Sequence, residues 1–466
     1  MEMTAVESVF SRMADRGSQP ALFWREREVS YSELAVMVEA WRDRFAAEGI
    51  GPGSVCAVVG DFSPEAVAMI IAGMRDRVIL VPFTKAIAAE SPPLMRIAGV
   101  EHLVHFDEQD HCTLARYPVA ETNPLIATFR KRGAPGLVVF TSGSTGEPKG
   151  ILHDIDHVAM KFVEPRRGWR TVLFLLMDHF GGFNTFLAAI AYGGVGVCLN
   201  DRTPPEVCRM IERSRAELLP TTPTFLNFLV ASGSYRDFDL SSVRLVTYGT
   251  EVMAATTLAK VRSVFPLAQI KQTYGLSEVG VLRSKSESDG SVWMKVGGRG
   301  FEVKVIDSVL WIRSEANMVG YLNAADPFDD DGWLCTGDQV EVQGEYIRVL
   351  GRKSELVNVG GQKVYPVEVE TVLLGDSNVT EAMVYGVAHP LMGHVLEARV
   401  SLRTNEGPRE LTERLRKLCL ANLAKYKVPV RFTVVSGSEQ HTARFKKVRL
   451  VDDNKPSSAP NAGVKQ

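Results

Sequence analysis

At 466 residues the chain is too long for one hydrophobic core, so two or three domains are expected. Hydrophobic residues at 45% and charged residues at 23% are ordinary for a globular enzyme. A formal net charge of -2 gives no electrostatic case for binding nucleic acid or an anionic membrane surface. The six cysteines (56, 112, 198, 208, 335 and 419) form no CxxC and no Cys/His ligand spacing, and read as reduced thiols in a cytoplasmic protein. The opening MEMTAVESVF lacks a basic start followed by an apolar run and does not read as a signal peptide. No apolar run approaches the ~20 residues of a membrane span.

In chain order, Ser30 with Glu33 has the pattern of a capping box. Leu34, Met37, Val38, Trp41 and Phe45 then share one helical face, and Gly49 ends the helix. Val55 to Val59 reads as a strand, and Ser63-Pro64 opens a second helix. Val78 to Val81 reads as a strand stopped by Pro82, and Leu137 to Phe140 as another. Further on, Leu173 to Leu176, Val195 to Leu199, Leu218 to Pro220 and Val243 to Thr247 read as strands. Helices at Asn184 to Ala191, Pro204 to Arg215 and Pro223 to Ala231 alternate with them. Such alternation points to a large α/β domain built on parallel sheets. Past about residue 285 short strands split by Gly, Asp and Asn suggest a small antiparallel sheet or distorted β-barrel. The domain boundary is expected near Gly351-Arg352, giving an N-terminal domain over 1–351 and a small α+β C-terminal domain over 352–466. The tail from about Lys455, rich in Pro, Ser, Ala and Asn, reads as disordered.

The most informative stretch is VVFTSGSTGEPKG, Val138 to Gly150. A strand breaks into a loop carrying Thr141, Ser142, Ser144 and Thr145, glycines at 143, 146 and 150, and Lys149. Glycines let backbone N–H groups converge on an anion, while hydroxyls add neutral donors and the lysine a point charge. This is a loop suited to gripping a polyphosphate, although G-x-x-x-x-G-K-[ST] does not occur.

TSGSTGEPKG resembles the phosphate-loop signature of the adenylate-forming superfamily. That superfamily includes acyl- and aryl-CoA synthetases, peptide-synthetase adenylation domains and firefly luciferase. Further segments are similar to its motifs in the same order. HFGGFN resembles the acid-pocket motif, which implies that His179, Phe180 and Phe183 line the acid site. The slot where amino-acid-activating relatives carry an aspartate is Phe180, with Asp178 close enough to be the alternative. Tyr248, Gly249 and Thr250 match a turn lying against adenine and the acid. Tyr274-Gly275-Leu276-Ser277-Glu278 is similar to YGxTE, implying an aromatic near adenine, a hydroxyl at the α-phosphate and Glu278 on Mg2+.

Trp333 to Asp338 resembles GW-x-x-TGD, which makes Asp338 the ribose anchor, and Gly351-Arg352 matches the opening of the hinge. Arg352 is also placed near the ribose, while Ser354 stands where the family's hinge carries Asp or Lys. VNVGGQKVYPVEVE (357–370) fits the loop that approaches the incoming thiol. HTARFKKVR supplies Lys446 as the catalytic lysine, with Lys447 as the alternative and Phe445 where the family has glycine.

The resemblance implies a two-part fold with a mobile C-terminal domain, and an ATP-dependent, AMP-forming ligase. A carboxylic acid, apolar or aromatic, would be activated as its adenylate with release of pyrophosphate and passed to the thiol of CoA or a carrier protein's phosphopantetheine. A stand-alone amino-acid-activating domain and a non-catalytic nucleotide-binding relative are the other readings. Monomer and homodimer are both compatible with it.

Overall fold

The computed structural model describes residues 3–85, 87, 91–118, 122–142 and 147–435. The chain separates into two compact units with the break between Leu356 and Val357. This lies past Gly351-Arg352 because strand Tyr346–Arg352 still pairs with Leu334–Gln343 up to Arg352, opposite Asp338.

Three seven-stranded sheets make up the larger unit. In the first, Gln269–Gln272, Leu245–Tyr248, Leu218–Thr221, Arg170–Val172, Val195–Val197 and Pro20–Trp24 run parallel, and only Arg27–Ser30 is antiparallel. The second has a parallel centre of Gly136–Ser142, Ile79–Phe83, Val55–Val59 and His102–Phe106. Antiparallel strands finish it: Pro148–Asp154 and Gly320–Tyr321 on one side, Cys112–Arg116 on the other. The third sheet is antiparallel throughout, from Tyr274–Leu276 to Phe301–Ile306, on a core that includes Val279, Leu282, Met294, Ile312 and Val340. Central parallel strands are buried on both faces, as the unbroken apolar run Val55–Val59 already indicates.

Local signals decide many element ends. Ser30 and Glu33 form the reciprocal capping box of helix Tyr31–Glu48, which stops at Gly49 with φ +70°, a left-handed conformation glycine adopts without strain. Two expectations are corrected. Pro82 does not stop its strand, which runs Ile79–Phe83: pairing to Gly136–Ser142 is over by Leu80, so the missing N–H falls where that edge has no ladder partner. The strand expected at Leu173 to Leu176 lies earlier, at Arg170–Val172, because the chain then turns tightly into helix Phe180–Ala191.

The smaller unit is a sheet of Gln362–Val364, Val357–Val359, Gly393–Leu402 and Val379–His389, with Arg431–Val434 parallel to Gly393–Leu402. Helices Pro366–Leu373 and Pro408–Asn422 pack on it, the latter through Leu411, Leu415 and Cys419. Among the described residues, no helix is long and apolar enough to cross a membrane.

Candidate active site

Strands Gly136–Ser142 and Pro148–Asp154 form a hairpin whose last rungs are Thr141 with Lys149 and Ser142 with Pro148. Gly143, Ser144, Thr145 and Gly146, which connect the two strands, lie outside the described residues. Asn323 ties down the return strand twice. Its Oδ1 accepts from the Gly150 N–H at 2.9 Å, and its Nδ2 donates to the Pro148 carbonyl at 2.9 Å. Strand Gly320–Tyr321 pairs alongside, Tyr321 opposite Ile151, and the Lys149 ammonium stands 5.1 Å from the centre of the Tyr321 ring. At the other end of that ring the hydroxyl donates to Glu278 Oε1 at 2.7 Å. One aromatic side chain thus spans the loop lysine and the carboxylate expected to hold a metal.

Glu278 sits in the turn between Tyr274–Leu276 and Gly280–Ser286. Gly275 is required there, since a Cβ would stand 2.7 Å from the Gly280 carbonyl oxygen and 2.8 Å from Val281 Cα. Tyr274 buries its ring in the antiparallel core and donates its hydroxyl to Asp338 Oδ2 at 2.5 Å. Asp338 Oδ1 accepts from Arg352 Nε at 3.2 Å, and the Asp338 N–H donates to Thr336 Oγ1 at 3.0 Å. Burial pushes the Asp338 carboxyl up, against the opposing pull of Arg352 and the Tyr274 hydroxyl. The Glu278 charge also acts on Asp338, and Arg352 acts on both Tyr274 and Tyr321, so both carboxylates share one electrostatic neighbourhood.

Tyr248 is buried, its hydroxyl 3.4 Å from Gln272 Oε1. Gly249 runs against Thr273, where a Cβ would meet Oγ1 at 2.6 Å, and Thr250 is exposed with φ +72°, a strained value for a non-glycine residue. His179 caps helix Phe180–Ala191, its Nδ1 accepting from the Gly181 N–H at 3.1 Å. Asp178 is buried and accepts from the Thr84 hydroxyl at 3.3 Å. Phe180 and Phe183 are 2% and 1% exposed and pack in the hydrophobic core.

Residues 9–322 match the family described as AMP-binding enzyme, and residues 368–446 match the AMP-binding enzyme C-terminal domain. The chain belongs to the AMP-binding enzyme family. An indoleacetate–CoA ligase of Aromatoleum aromaticum is 27% identical over 88% of this chain and 90% of its own. A 2-succinylbenzoate–CoA ligase of Bacillus subtilis is 24% identical over 89% and 91%. A fatty acid–acyl-carrier-protein ligase of Mycobacterium marinum is 24% identical over 80% and 82%. Among solved structures, an anthranilate CoA ligase in complex with anthranoyl-AMP superposes with a TM-score of 0.82 at 20% identity, covering 96% of both chains. The fold of this AMP-binding enzyme is that of the adenylate-forming superfamily, a large N-terminal and a small C-terminal domain. It is an AMP-forming acid–thiol ligase.

In this AMP-binding enzyme the structure brings Lys149, Glu278, Asp338 and Arg352 together through Tyr274 and Tyr321. Ser277 lies in the same turn as Glu278. Lys446 and its alternative Lys447 lie outside the described residues. Tyr321 and Asn323 contact this group of residues and were passed over by motif reading, since GYLN is too short to stand out in sequence.

Proposed function

We propose that this ligase activates an acid with an apolar or aromatic body and transfers it to CoA. The observation that carries the reading is the single Tyr321 ring joining the phosphate-loop lysine to Glu278, beside an Asp338 already held as a double acceptor. In the first half-reaction a carboxylate oxygen bonds to the α-phosphorus of ATP, the bond to the β-phosphate oxygen breaks, and pyrophosphate leaves. The protein aligns the reactants and neutralises growing charge, Lys149 at the phosphates and Lys446 between the acid and the α-phosphate. Asp338 anchors the ribose, its two oxygens exchanging the Tyr274 and Arg352 donors for sugar hydroxyls.

Glu278 fits Mg2+. Its Oε1 is steadied by Tyr321 and its other oxygen is a hard donor, while no group of three or more His, Cys, Asp or Glu gathers among the described residues. A single carboxylate supplemented by water and substrate phosphates is the usual arrangement for that ion, which would supply charge neutralisation at the phosphates. In the second half-reaction the thiol sulfur bonds to the acyl carbon, AMP leaves with the carboxyl oxygen, and the thiol proton passes to solvent. Apolar acids are favoured by the packing around Phe180, Phe183 and Tyr248. The test is carboxylate-dependent pyrophosphate–ATP exchange over a broad acid library, followed by mass spectrometry of products with CoA present. Exchange that ignores every added acid would overturn the proposal.

A further inference from the structure

Helix Phe180–Ala191 packs one face against strand Gly280–Ser286. The Phe180 ring lies 3.7 Å from the point a Cβ on Gly280 would occupy. Tyr192, just past the helix, donates its hydroxyl to the Lys161 carbonyl at 3.3 Å. Residues at i+4 spacing share a helical face, so Asn184 stands between these two anchors. Its Oδ1 is buried and has no hydrogen-bond partner among the described residues, an arrangement that costs free energy unless something occupies it.

Lys161 enters the same place from the chain that follows strand Pro148–Asp154. Its ammonium donates to the Val281 carbonyl at 3.4 Å and lies 5.0 Å from the centre of the Phe162 ring. Among the described residues it pairs with no carboxylate, and Glu164, three positions on, pairs with Arg299 at 2.9 Å and Arg283 at 3.8 Å. Burial and the Arg283 charge bring Lys161 down to about 7, so its environment does not stabilise its charge. Val281 is the cross-strand partner of Gly275, which places the ammonium one strand rung from the turn that carries Glu278.

We propose that Lys161 and Asn184 form the polar end of the acid pocket, and that the acid carries a second carboxylate at the end away from the one that is adenylated. The inference rests on the ligase reading given above. An ammonium with one N–H on a backbone carbonyl has two left for the oxygens of a carboxylate, and Arg283 adds favourable potential. The Asn184 amide, turned over, can present its NH2 group to the same oxygens.

The test is pyrophosphate–ATP exchange with matched acids sharing one body, with and without a second carboxylate at the far end. The wild type is expected to show a KM lower by about tenfold or more for the diacid. In Lys161→Met that ratio falls towards one, Lys161→Arg keeps most of it, and the effect lies in KM more than in kcat. Equal KM values for the pair in the wild type, or a ratio unchanged in Lys161→Met, would overturn the proposal. Thermal melts of the wild type read the pocket independently of turnover and of whether the variant folds. The diacid raises the melting temperature and the monoacid does not, whereas equal shifts, or none, speak against the site. Absence of exchange with every acid counts against the ligase reading, and the melts still decide whether the pocket takes a diacid.

Discussion

His153, on strand Pro148–Asp154, is fully buried, with its ring 4.5 Å from that of Phe180. Among the described residues, neither ring nitrogen makes a well-formed hydrogen bond. Burial lowers the imidazole from its ordinary 6.5 to about 3, with the Ser277 backbone opposing. The depressed value belongs to the folded state, so as pH falls the unfolded chain takes up the proton first. The stability contribution is therefore present above 6.5 and is withdrawn as pH falls from there towards about 3. At about 1.4 kcal/mol per pH unit, this one residue withdraws about 2 kcal/mol between pH 7 and pH 5. His153→Leu removes the titration whatever it does to packing, so the informative quantity is the change in the mutant–wild-type difference with pH. All six tryptophans (24, 41, 169, 293, 311 and 333) precede residue 357, so tryptophan fluorescence in a denaturant series follows the larger unit. The wild type is expected to lose about 2 kcal/mol more than the variant over that interval. Parallel pH profiles would refute the idea of a neutral imidazole sealed at this position.

Tyr321→Phe removes the 2.7 Å hydrogen bond to Glu278 while keeping the ring against Lys149. Adenylation is expected to slow by about fivefold, corresponding to about 1 kcal/mol, and to need more Mg2+, as read by exchange against Mg2+ concentration. Asp338→Asn should weaken ATP binding by about tenfold to a hundredfold, the range for losing charge-assisted hydrogen bonds, and calorimetry with ATP measures it. Wild-type affinity would remove Asp338 from the ribose. Because Asp338 is pushed up by burial, ATP affinity should also fall on acidification before an ordinary carboxylate would protonate, and Asp338→Asn should abolish that dependence. Gly182→Ala puts a Cβ 2.0 Å from the Leu176 carbonyl oxygen, so melting temperature and soluble yield should drop; a wild-type melt would contradict the close approach. Lys446→Ala should cripple adenylate formation far more than thioester transfer, compared by exchange and by transfer from preformed adenylate, and equal loss in both would contradict its assignment.

What was legible in the sequence was mostly local. The Ser30–Glu33 box and Gly49 act within one turn, so their pattern and their geometry are the same information. The hairpin around the phosphate loop was foreshadowed by the apolar run ending at Phe140 and the Gly/Ser/Thr stretch after it. Positions whose meaning depends on distant pairing were invisible. Tyr321 and Asn323 matter because a two-residue strand lies beside Pro148–Asp154, and nothing in GYLN announces that partner. His153 and Lys161 look like ordinary polar residues near a basic stretch until the packing of helix Phe180–Ala191 takes water away from that region. The hydrogen bond from the Tyr274 hydroxyl to Asp338 spans 64 positions of chain, so no local pattern announces it.

The phenol of Tyr321 joins two functions that chemistry could have kept apart. Because it belongs to a strand stitched to the loop's own return strand, a shift of that strand is expected to carry Lys149 and Glu278, the proposed phosphate and metal groups, along in concert. A substitution at Gly320 or Asn323, neither of which offers a group to the reaction, should therefore degrade nucleotide grip and metal affinity in proportion, as a loosened hinge pin lets both leaves of a door sag together.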